Sequence, residues 1–372
     1  MLFIITKSNK KRFTYLIVPR GTFINYWKGD SHNGYTHCLK YMLILGIDTS
    51  CDDTAASVVE DGVRILSNIV SSQNELHKKY GGIVPELASR RHIEMILPVI
   101  DEATSKAGVD FSDISAIAVC QGPGLIGSLL VGVCFAKSLS YVKNIPMIAV
   151  NHLEGHISSI FLEGPAPDFP FLALVVSGGH TSIYRVDGYG AYTEMGRTRD
   201  DAAGEAFDKV AKLLGLGYPG GPIIDKIASE GDPDAVHFPR AKLSGSVDFS
   251  FSGLKTAVLN YTKKAPGSKK EDIAASFQKA VVEDLVNKVL DAARQEGIKR
   301  VTLSGGVSAN SALRCKMKEK AAEKGIEVYL PSIQLSTDNA AMIASAGFHH
   351  LRKGNLADFS LNPKAYLPLG VK

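Results

Sequence analysis

Three groups of residues in this chain have the types and spacing to do chemistry. The first is the imidazole pair in Asn151-His152-Leu153-Glu154-Gly155-His156. Histidines four residues apart share one face of a helix, with Cβ atoms about 5–6 Å apart, near enough to bind one ion through ring nitrogens at roughly 2.0–2.1 Å. An isolated H-x-x-x-H is more often structural, and a metal needs at least one further ligand. Asp338, in Ser336-Thr337-Asp338-Asn339-Ala340-Ala341-Met342 where a helix is expected to begin, is a candidate carboxylate, although sequence alone does not join residues so far apart. Two histidines and one carboxylate with open positions suit Fe(II), with zinc as the alternative. A zinc-protease reading fails on phase, because a zincin needs its glutamate immediately after the first histidine and Glu154 stands two after it.

The second group is three glycine or hydroxyl-rich turns that each follow an apolar run: Thr49–Thr54, Ser177-Gly178-Gly179-His180-Thr181 and Ser304-Gly305-Gly306-Val307-Ser308. Paired glycines let backbone N–H groups approach an anion, and a following helix adds its positive N-terminal end. One such turn usually means only a tight turn; three in a repeated frame point to a nucleotide cleft. No G-x-x-x-x-G-K-[ST] occurs, and no G-x-G-x-x-G opens a helix after a strand, so neither a P-loop nor a Rossmann site is supported.

The third group lies in Asp200–Pro222, where an amphipathic stretch runs into a Gly-rich turn. Asp201, Glu205 and Asp208 read as solvated helix charges; alternatively Asp208, with Asp225 beyond the turn, accepts hydrogen bonds from ribose or amino-acid hydroxyls while Gly221 admits the ligand. His92, His180 and Lys255 are further candidates, each favoured as structural when taken alone.

The elements that must position these groups follow from the pattern. From Leu43 the chain reads as strand, turn, strand and an Asp-Gly reversal, with a third strand at 63–70 and a helix from Glu86. After the Pro-rich stretch at 164–170 the frame restarts at Phe171, which implies duplicated lobes. Helices are expected at 201–214, 253–264, 271–295 and 338–352. The predicted fold class is α/β: a duplicated, two-lobed actin-like ATPase fold with a nucleotide cleft between lobes, divided as 42–168 (lobe I), 169–337 (lobe II) and 338–372, a helix and tail returning to lobe I. Five widely spaced cysteines suit reduced thiols rather than a disulfide framework. No run reaches the roughly 18 consecutive apolar residues of a spanning helix, so no membrane role is expected. Net charge is +4, yet residues 1–41 hold seven of the basic residues and one acid, leaving 35 basic against 37 acidic in the remainder, so global basicity is no argument for nucleic-acid binding. That basic N-terminal extension, 1–41, has its charges after its apolar start, the wrong order for a secretory signal. It reads as an organellar transit peptide or, preferably, as sequence upstream of a true start at Met42.

Taken in order and spacing, GIDTSCDDTA, GGIVPELASRRH, NHLEGH, VSGGHT, DDAAGEAFDKVAKLLGLGYPGGP, FSFSGLKTAV, GGVSAN and STDNAAMIA resemble the TsaD family, once called O-sialoglycoprotein endopeptidases, from about Met42 to the end. The resemblance implies an acyltransferase that moves threonylcarbamoyl from threonylcarbamoyl-AMP to N6 of adenosine 37, in the anticodon loop of tRNAs reading codons that begin with A, in the cytoplasm. It places one Fe2+ (or Zn2+) on His152, His156 and Asp338. Substrate contacts fall on Val175, Val176, Ser177, Gly178, Gly179, Asp208, Gly221, Asp225 and Asn310. It also implies two protein partners, an inactive paralogue (TsaB-like) and a small P-loop ATPase (TsaE-like), with the helix from Glu86 to Lys106 as a docking surface. Arg90, Arg91, Lys263, Lys264, Lys269 and Lys270 are candidate tRNA phosphate contacts. Asp48 stands where many members have Glu. A small-molecule kinase of the same architecture is the first rival, but it needs no imidazole pair; a degenerate scaffold is the second, and it need not keep all three ligands. No general base is identifiable.

Overall fold

The computed structural model describes residues 41–372 except 242, 244, 371 and 372; of residues 1–40 it describes only the backbone of three strands, β1 (Thr14–Val18), β2 (Thr22–Tyr26) and β3 (His37–Cys38), an antiparallel sheet in a unit of its own. The readings of residues 1–41 as leader or untranslated sequence lie outside the described residues.

The body, Leu43–Lys372, holds two five-stranded sheets of one topology. In the first, β4 (Leu43–Asp48), β5 (Asp53–Glu60) and β6 (Arg64–Ser72) form an antiparallel meander, and β7 (Ile114–Gly122) and β8 (Met147–Asn151) add in parallel beyond β4. In the second, β9 (Phe171–Val176), β10 (Thr181–Gly188) and β11 (Ala191–Arg197) repeat the meander, and β12 (Arg300–Ser304) and β13 (Glu327–Tyr329) repeat the parallel extension. The orders β6-β5-β4-β7-β8 and β11-β10-β9-β12-β13 are superimposable, so the duplication read from the two restarts is a property of the fold. We call the sheets with their helices lobe I and lobe II.

Each central strand is buried on both faces, which is why it reads as a nearly continuous apolar run. In β9, Leu172, Leu174 and Val176 enter the main lobe II core, while Phe171, Ala173 and Val175 pack on the opposite side with Leu153 and Ile157. The Asp61-Gly62 reversal between β5 and β6 has φ of 50° and 74°, the left-handed turn that this dipeptide favours. Lobe I carries α1 (Asn74–Lys78), α2 (Pro85–Ala107), α3 (Ile126–Lys143) and α4 (His152–Ser158). Lobe II carries α5 (Ala203–Leu213), α6 (Gly220–Ala228), α7 (Ser252–Lys264), α8 (Lys270–Glu296), α9 (Ser311–Glu323) and α10 (Ile333–Ser336). The expected third strand begins one residue later than read, at Arg64, and α5, α7 and α8 lie within two residues of expectation. By contrast, the Gly-rich turn near 220 proves to be the start of a helix, α6, whose Gly220 fits against α5: a Cβ there would lie 2.7 Å from Asp208 Cα.

The last helix, α11 (Ala340–Arg352), packs on β4, β5 and β7 of lobe I, on the face opposite α2 and α3. Its approach is possible only because of glycines. A Cβ on Gly46 would lie 2.2 Å from Ala340 O, and one on Gly347 would lie 2.4 Å from Ala118 Cβ. The helix starts at Ala340 rather than Asp338, because Asn339 is its N-cap, its Oδ1 accepting the Met342 N–H at 3.1 Å. Among the described residues α3 has the length and mean hydropathy of a candidate span, as a core helix also can, but Ser128, Lys137, Ser138 and Ser140 interrupt it, so no run of about 18 apolar residues occurs, as expected. Its inner face, with Leu129, Val133 and Ala136, is buried on lobe I, while Ile126 and Leu130 are exposed.

Contacts at the back of the molecule join the lobes. Buried Glu154 of α4 accepts from His350 of α11 at 2.9 Å and from the Tyr192 hydroxyl of β11 at 3.1 Å. His349 stacks on Tyr189, with centroids 3.5 Å apart and planes at 13°. Burial, with Arg352, Lys353 and His350 nearby, pushes the His349 pKa down to about 4. Its folded pKa lies below the ordinary value near 6.5, so the unfolded chain binds the extra proton, and stability is full above about pH 6.5 and falls toward pH 4. His350, held up by its hydrogen bond to Glu154, contributes in the opposite sense and only above about 6.5. His349→Phe keeps the stack and removes the titration. Urea unfolding of the variant is expected to lose less stability than wild type between about pH 6.5 and 4.5, while the two respond alike above pH 6.5.

Candidate active site and metal centre

The candidate groups converge where the carboxyl ends of β4, β7, β8, β9 and β12 face one another, the place where open α/β sheets bind ligands. A cavity of about 720 Å3 is lined there by Ser50–Asp53, Pro123–Leu125, His152, Ser177–His180, Asp208, Gly306 and Asp338. It adjoins one of about 510 Å3 lined by Phe207, Gly221, Asp225, Asn310 and Ile333; Asn74, Gly178, Asp208, Pro219, Gly306 and Thr337 border both.

At the closed end sits the histidine pair. Asn151 ends β8 and caps α4, accepting the Leu153 N–H at 2.9 Å, so both imidazoles leave the first turn on one face with centroids 4.7 Å apart. Gly155, between them in sequence, faces Ile343 and Met342, where a Cβ would lie 2.8 Å from Ile343 Cδ1. That contact sets α4 against α11 and delivers Asp338: its Oδ1 lies 3.2 Å from His156 Nε2 and 3.6 Å from His152 Nε2. One donor atom from each of the three falls within 4.8 Å of the others, so this group can hold a metal ion. Both His156 ring nitrogens are buried without a well-aligned hydrogen-bond partner, so one of them is available to a ligand.

The electrostatics also call for a cation. Burial lowers the His156 pKa, and the charge of His152 adds to that. For His152, burial lowers the pKa too, but Asp338 and Asp48 outweigh it and hold the imidazole well above its ordinary value. Asp338 is held low: burial works against that, and the two histidines overcome it. Across the cavity, burial and then Asp52 and Asp338 raise Asp53 to about 7, and burial with Asp338 raises Asp52. Four carboxylates around one buried space repel one another, and a divalent ion relieves that repulsion.

Asp48 was not among the residues singled out as ligands, only as a departure from Glu. The structure puts its Oδ2 3.3 Å from His152 Nδ1, while its Oδ1 accepts the Ser50 N–H at 2.9 Å. The two atoms approach without hydrogen-bond alignment, yet a carboxylate this close to Nδ1 favours the tautomer that leaves Nε2 to ligate. Buried Cys120 also contacts His152, and Asp48, Cys120 and His152 form a second close donor group that shares the imidazole.

Around the cavity the Gly turns take defined shapes. Ser177 N–H donates to His180 O at 2.8 Å, and the Gly204 N–H donates to Ser177 O at 3.2 Å, which sets the turn on the N-terminus of α5. Gly178 and Gly179 face open space. Burial keeps His180 neutral near pH 7, with a pKa lowered to about 4. Val175 and Val176 are not brought to the cavity: both are fully buried in β9, paired to β10. Asp208 Oδ1 accepts the Gly220 N–H at 2.7 Å, and Gly221 is open toward the cavity. Asp225 holds Ser311 through its N–H at 3.0 Å and its hydroxyl at 2.9 Å. Asn310 caps α9 through Leu313 N–H at 2.9 Å and donates to Gln278 at 2.7 Å, so much of its side chain is spent on structure. His92 lies behind the site: it sits between Thr54 Oγ1 at 2.8 Å and Cys51 O at 3.0 Å, anchoring the first turn to α2. Lys255 does not line either cavity, Asp201 pairs with Lys209 at 2.8 Å, and Arg90 and Arg91 pair with Glu86 and Glu94.

With the geometry established, comparison decides the family. The sequence model of the tRNA N6-adenosine threonylcarbamoyltransferases, TsaD, matches residues 64–345. The chain belongs to this family. A relative of that name from Thermodesulfovibrio yellowstonii is 60% identical over 335 residues, covering 88% of this chain and 100% of the relative; one from Geobacter metallireducens is 56% identical over 333 residues, covering 88% and 97%. Among solved structures, component A of the Acidaminococcus fermentans (R)-2-hydroxyglutaryl-CoA dehydratase matches with TM-score 0.51 at 17% identity over 84% of this chain and 99% of that one. The HypF of T. kodakarensis matches with TM-score 0.59 at 17% identity over 87% of this chain and 49% of that one. At such identities these show the fold alone, the two-lobed actin-like ATPase fold expected. The family is a transferase acting on tRNA with a threonylcarbamoyl donor, and the kinase and scaffold readings fall.

Removing the Asp48 carboxylate leaves His152 free to take the wrong tautomer. Asp48→Asn is expected to weaken Zn2+ or Co2+ binding by about 10- to 100-fold with little change in fold, as measured by chelator competition on the purified protein and by circular dichroism.

Proposed function

We propose that His152, His156 and Asp338 hold one Fe2+, with Zn2+ able to take its place, at the closed end of the cavity, and that the family's reaction runs against it. The observation that carries this is the three-residue donor group set among surplus buried carboxylates. Two imidazoles and one carboxylate leave coordination positions open, and an ion there would act as a Lewis acid toward the threonylcarbamoyl oxygens.

The remaining residues bind and orient the donor. The adenylate of threonylcarbamoyl-AMP lies along the second cavity, with Asp208 and Asp225 beside Gly221 facing its ribose hydroxyls, and its phosphate at Ser177-Gly178-Gly179 against the positive end of α5. Gly306, which borders both cavities without a side chain, keeps the path between them open. The threonylcarbamoyl end then reaches the chamber of His152, His180 and Asp338. N6 of adenosine 37 attacks the carbamoyl carbon, the bond to the phosphate oxygen breaks, and AMP leaves with the Gly-turn N–H groups stabilising its charge. An exocyclic amine is a weak nucleophile, so positioning supplies much of the rate. Neutral His180 adds no charge to this chamber.

A tRNA substrate supports a cytoplasmic setting. Its partners are an inactive paralogue and a small P-loop ATPase, and the paralogue docks on α2: Ile93 and Leu97 are 65% and 54% exposed there, and Gly127 of α3 meets Ser89 of α2, bringing exposed Ile126 and Leu130 alongside.

An unmodified tRNA transcript, supplied threonylcarbamoyl-AMP and the two partner proteins test the reading. His152→Ala and Asp338→Ala are expected to lose bound metal and about 100-fold or more of the threonylcarbamoylation rate. Full activity of both variants without metal would overturn the assignment of these ligands.

A further inference from the structure

The cavity presents a problem that its own residues do not solve. It is lined by Asp52, Asp53, Glu205, Asp208 and Asp338 and by no lysine or arginine, yet its substrate is a polyanion. The phosphates beside the target base must then be met by cations outside this wall, and one group of cations stands along a strip of the rim. The loop after α1 carries Lys79 and Tyr80, then Gly81 and Gly82, and the cavity wall begins two residues after Tyr80, at Gly82 and Ile83. From lobe II, Lys212 reaches this loop: a Cβ on Gly81 would lie 3.8 Å from its Nζ. Beyond it, a Cβ on Gly215 would lie 3.8 Å from Lys270 Nζ, which continues the strip to Lys269. These four lysines are exposed and form no ion pair among the described residues, whereas neighbouring Lys78 pairs with Glu75 at 3.6 Å.

In the middle of the strip Tyr80 is 57% exposed, and among the described residues no other ring stacks against its ring. The loop that presents it is built, not slack. Buried His77 accepts the Val84 N–H at 3.3 Å, and the Tyr80 N–H donates to His77 O at 2.9 Å. An aromatic ring held on a fixed loop, with lysines from both lobes beside it and an adenosine-accepting cavity one step away, matches what single-stranded RNA needs: a stacking face for one base and cations for the flanking phosphates.

We propose that Tyr80 stacks on an anticodon-loop base next to the target adenosine while Lys79, Lys212 and Lys270 contact the loop phosphates, holding the RNA across both lobes. The proposal rests on the tRNA substrate but not on the metal.

The test uses the full chain with its partner proteins and a fluorescent, unmodified anticodon stem-loop hairpin, with affinity read by anisotropy between about 50 and 200 mM salt. Tyr80→Ala is expected to weaken binding about 5- to 150-fold with an unchanged salt slope, and Tyr80→Phe to bind like wild type. Lys79→Gln, Lys212→Gln and Lys270→Gln together should lower the slope of log Kd against log salt by roughly 0.7–0.9 per lysine. A hairpin made abasic at the stacked position should weaken wild type by the same factor as Tyr80→Ala and should not weaken Tyr80→Ala further. Equal affinity of Tyr80→Ala and wild type, or additive losses in that cycle, would sink the stacking role; an unchanged slope would sink the lysine strip. If wild type itself neither bound nor modified the hairpin, the substrate assignment would fail first, and an intact melting temperature in each variant separates lost contacts from lost fold.

Discussion

Everything at the candidate site depends on how closely α11 approaches β4. Asp338 sits two residues before that helix, and its carboxylate reaches His152 and His156 only because Gly46 and Gly347 let the helix lie on the strand and Gly155 lets α4 lie on the helix. A methyl at any of these would push apart atoms already at contact. Three glycines on three elements therefore decide where a carboxylate goes, without touching it. The cap supplied by Asn339 completes the arrangement: its extended backbone turns the chain out of the helix just where Asp338 must point back toward α4.

Charge is the second constraint, and it follows from the first. Packing against two imidazoles half-buries Asp338, the first turn adds Asp52 and Asp53 to the same space, and Asp48 lies behind His152. Burial raises the carboxylates of Asp52 and Asp53, while Asp48 and Asp338 together hold His152 in its charged form in the absence of an ion. An ion held as proposed on the three ligands would reverse that balance, since it would displace the proton from His152 and ease the mutual repulsion of the acids.

Much of this was legible in the sequence, and the failures have physical causes. The two restarts at Leu43 and Phe171 gave the duplicated meander, since strands buried on both faces are strongly apolar and the Asp-Gly reversal is a strong turn signal. Periodicity also found α2, α5, α7 and α8. It missed α6 because the glycines at 220 and 221 look like a loop, while in the fold they let one helix pack on another and leave one wall open. The histidine phase was readable because four residues is a helical repeat. The second function of Asp48, facing His152 across a gap in sequence between strands β4 and β8, carries no local signal at all. Val175 and Val176, implied as substrate contacts by the resemblance, end a core strand, and Asn310, although it lines the second cavity, spends its Oδ1 capping α9; a motif shows which residues travel together, not which of them have free polar groups at the cavity.

The duplication itself explains the division of labour. Equivalent strand ends in the two lobes face one cleft, but their turns differ in chemistry: the lobe I turns after β4 and β8 bring carboxylates and imidazole, whereas the lobe II turns after β9 and β12 bring Gly178, Gly179 and Gly306 with open backbone. One lobe is thus equipped to hold a cation and the other to accept an anion. In the proposed reading a donor with a polar acyl group at one end and a phosphate at the other would be oriented by that asymmetry, since reversing it would set phosphate against the carboxylates of the closed end. Acids that favour a cation at the closed end would also repel an RNA backbone, which is why the proposed phosphate contacts lie on the rim rather than in the wall.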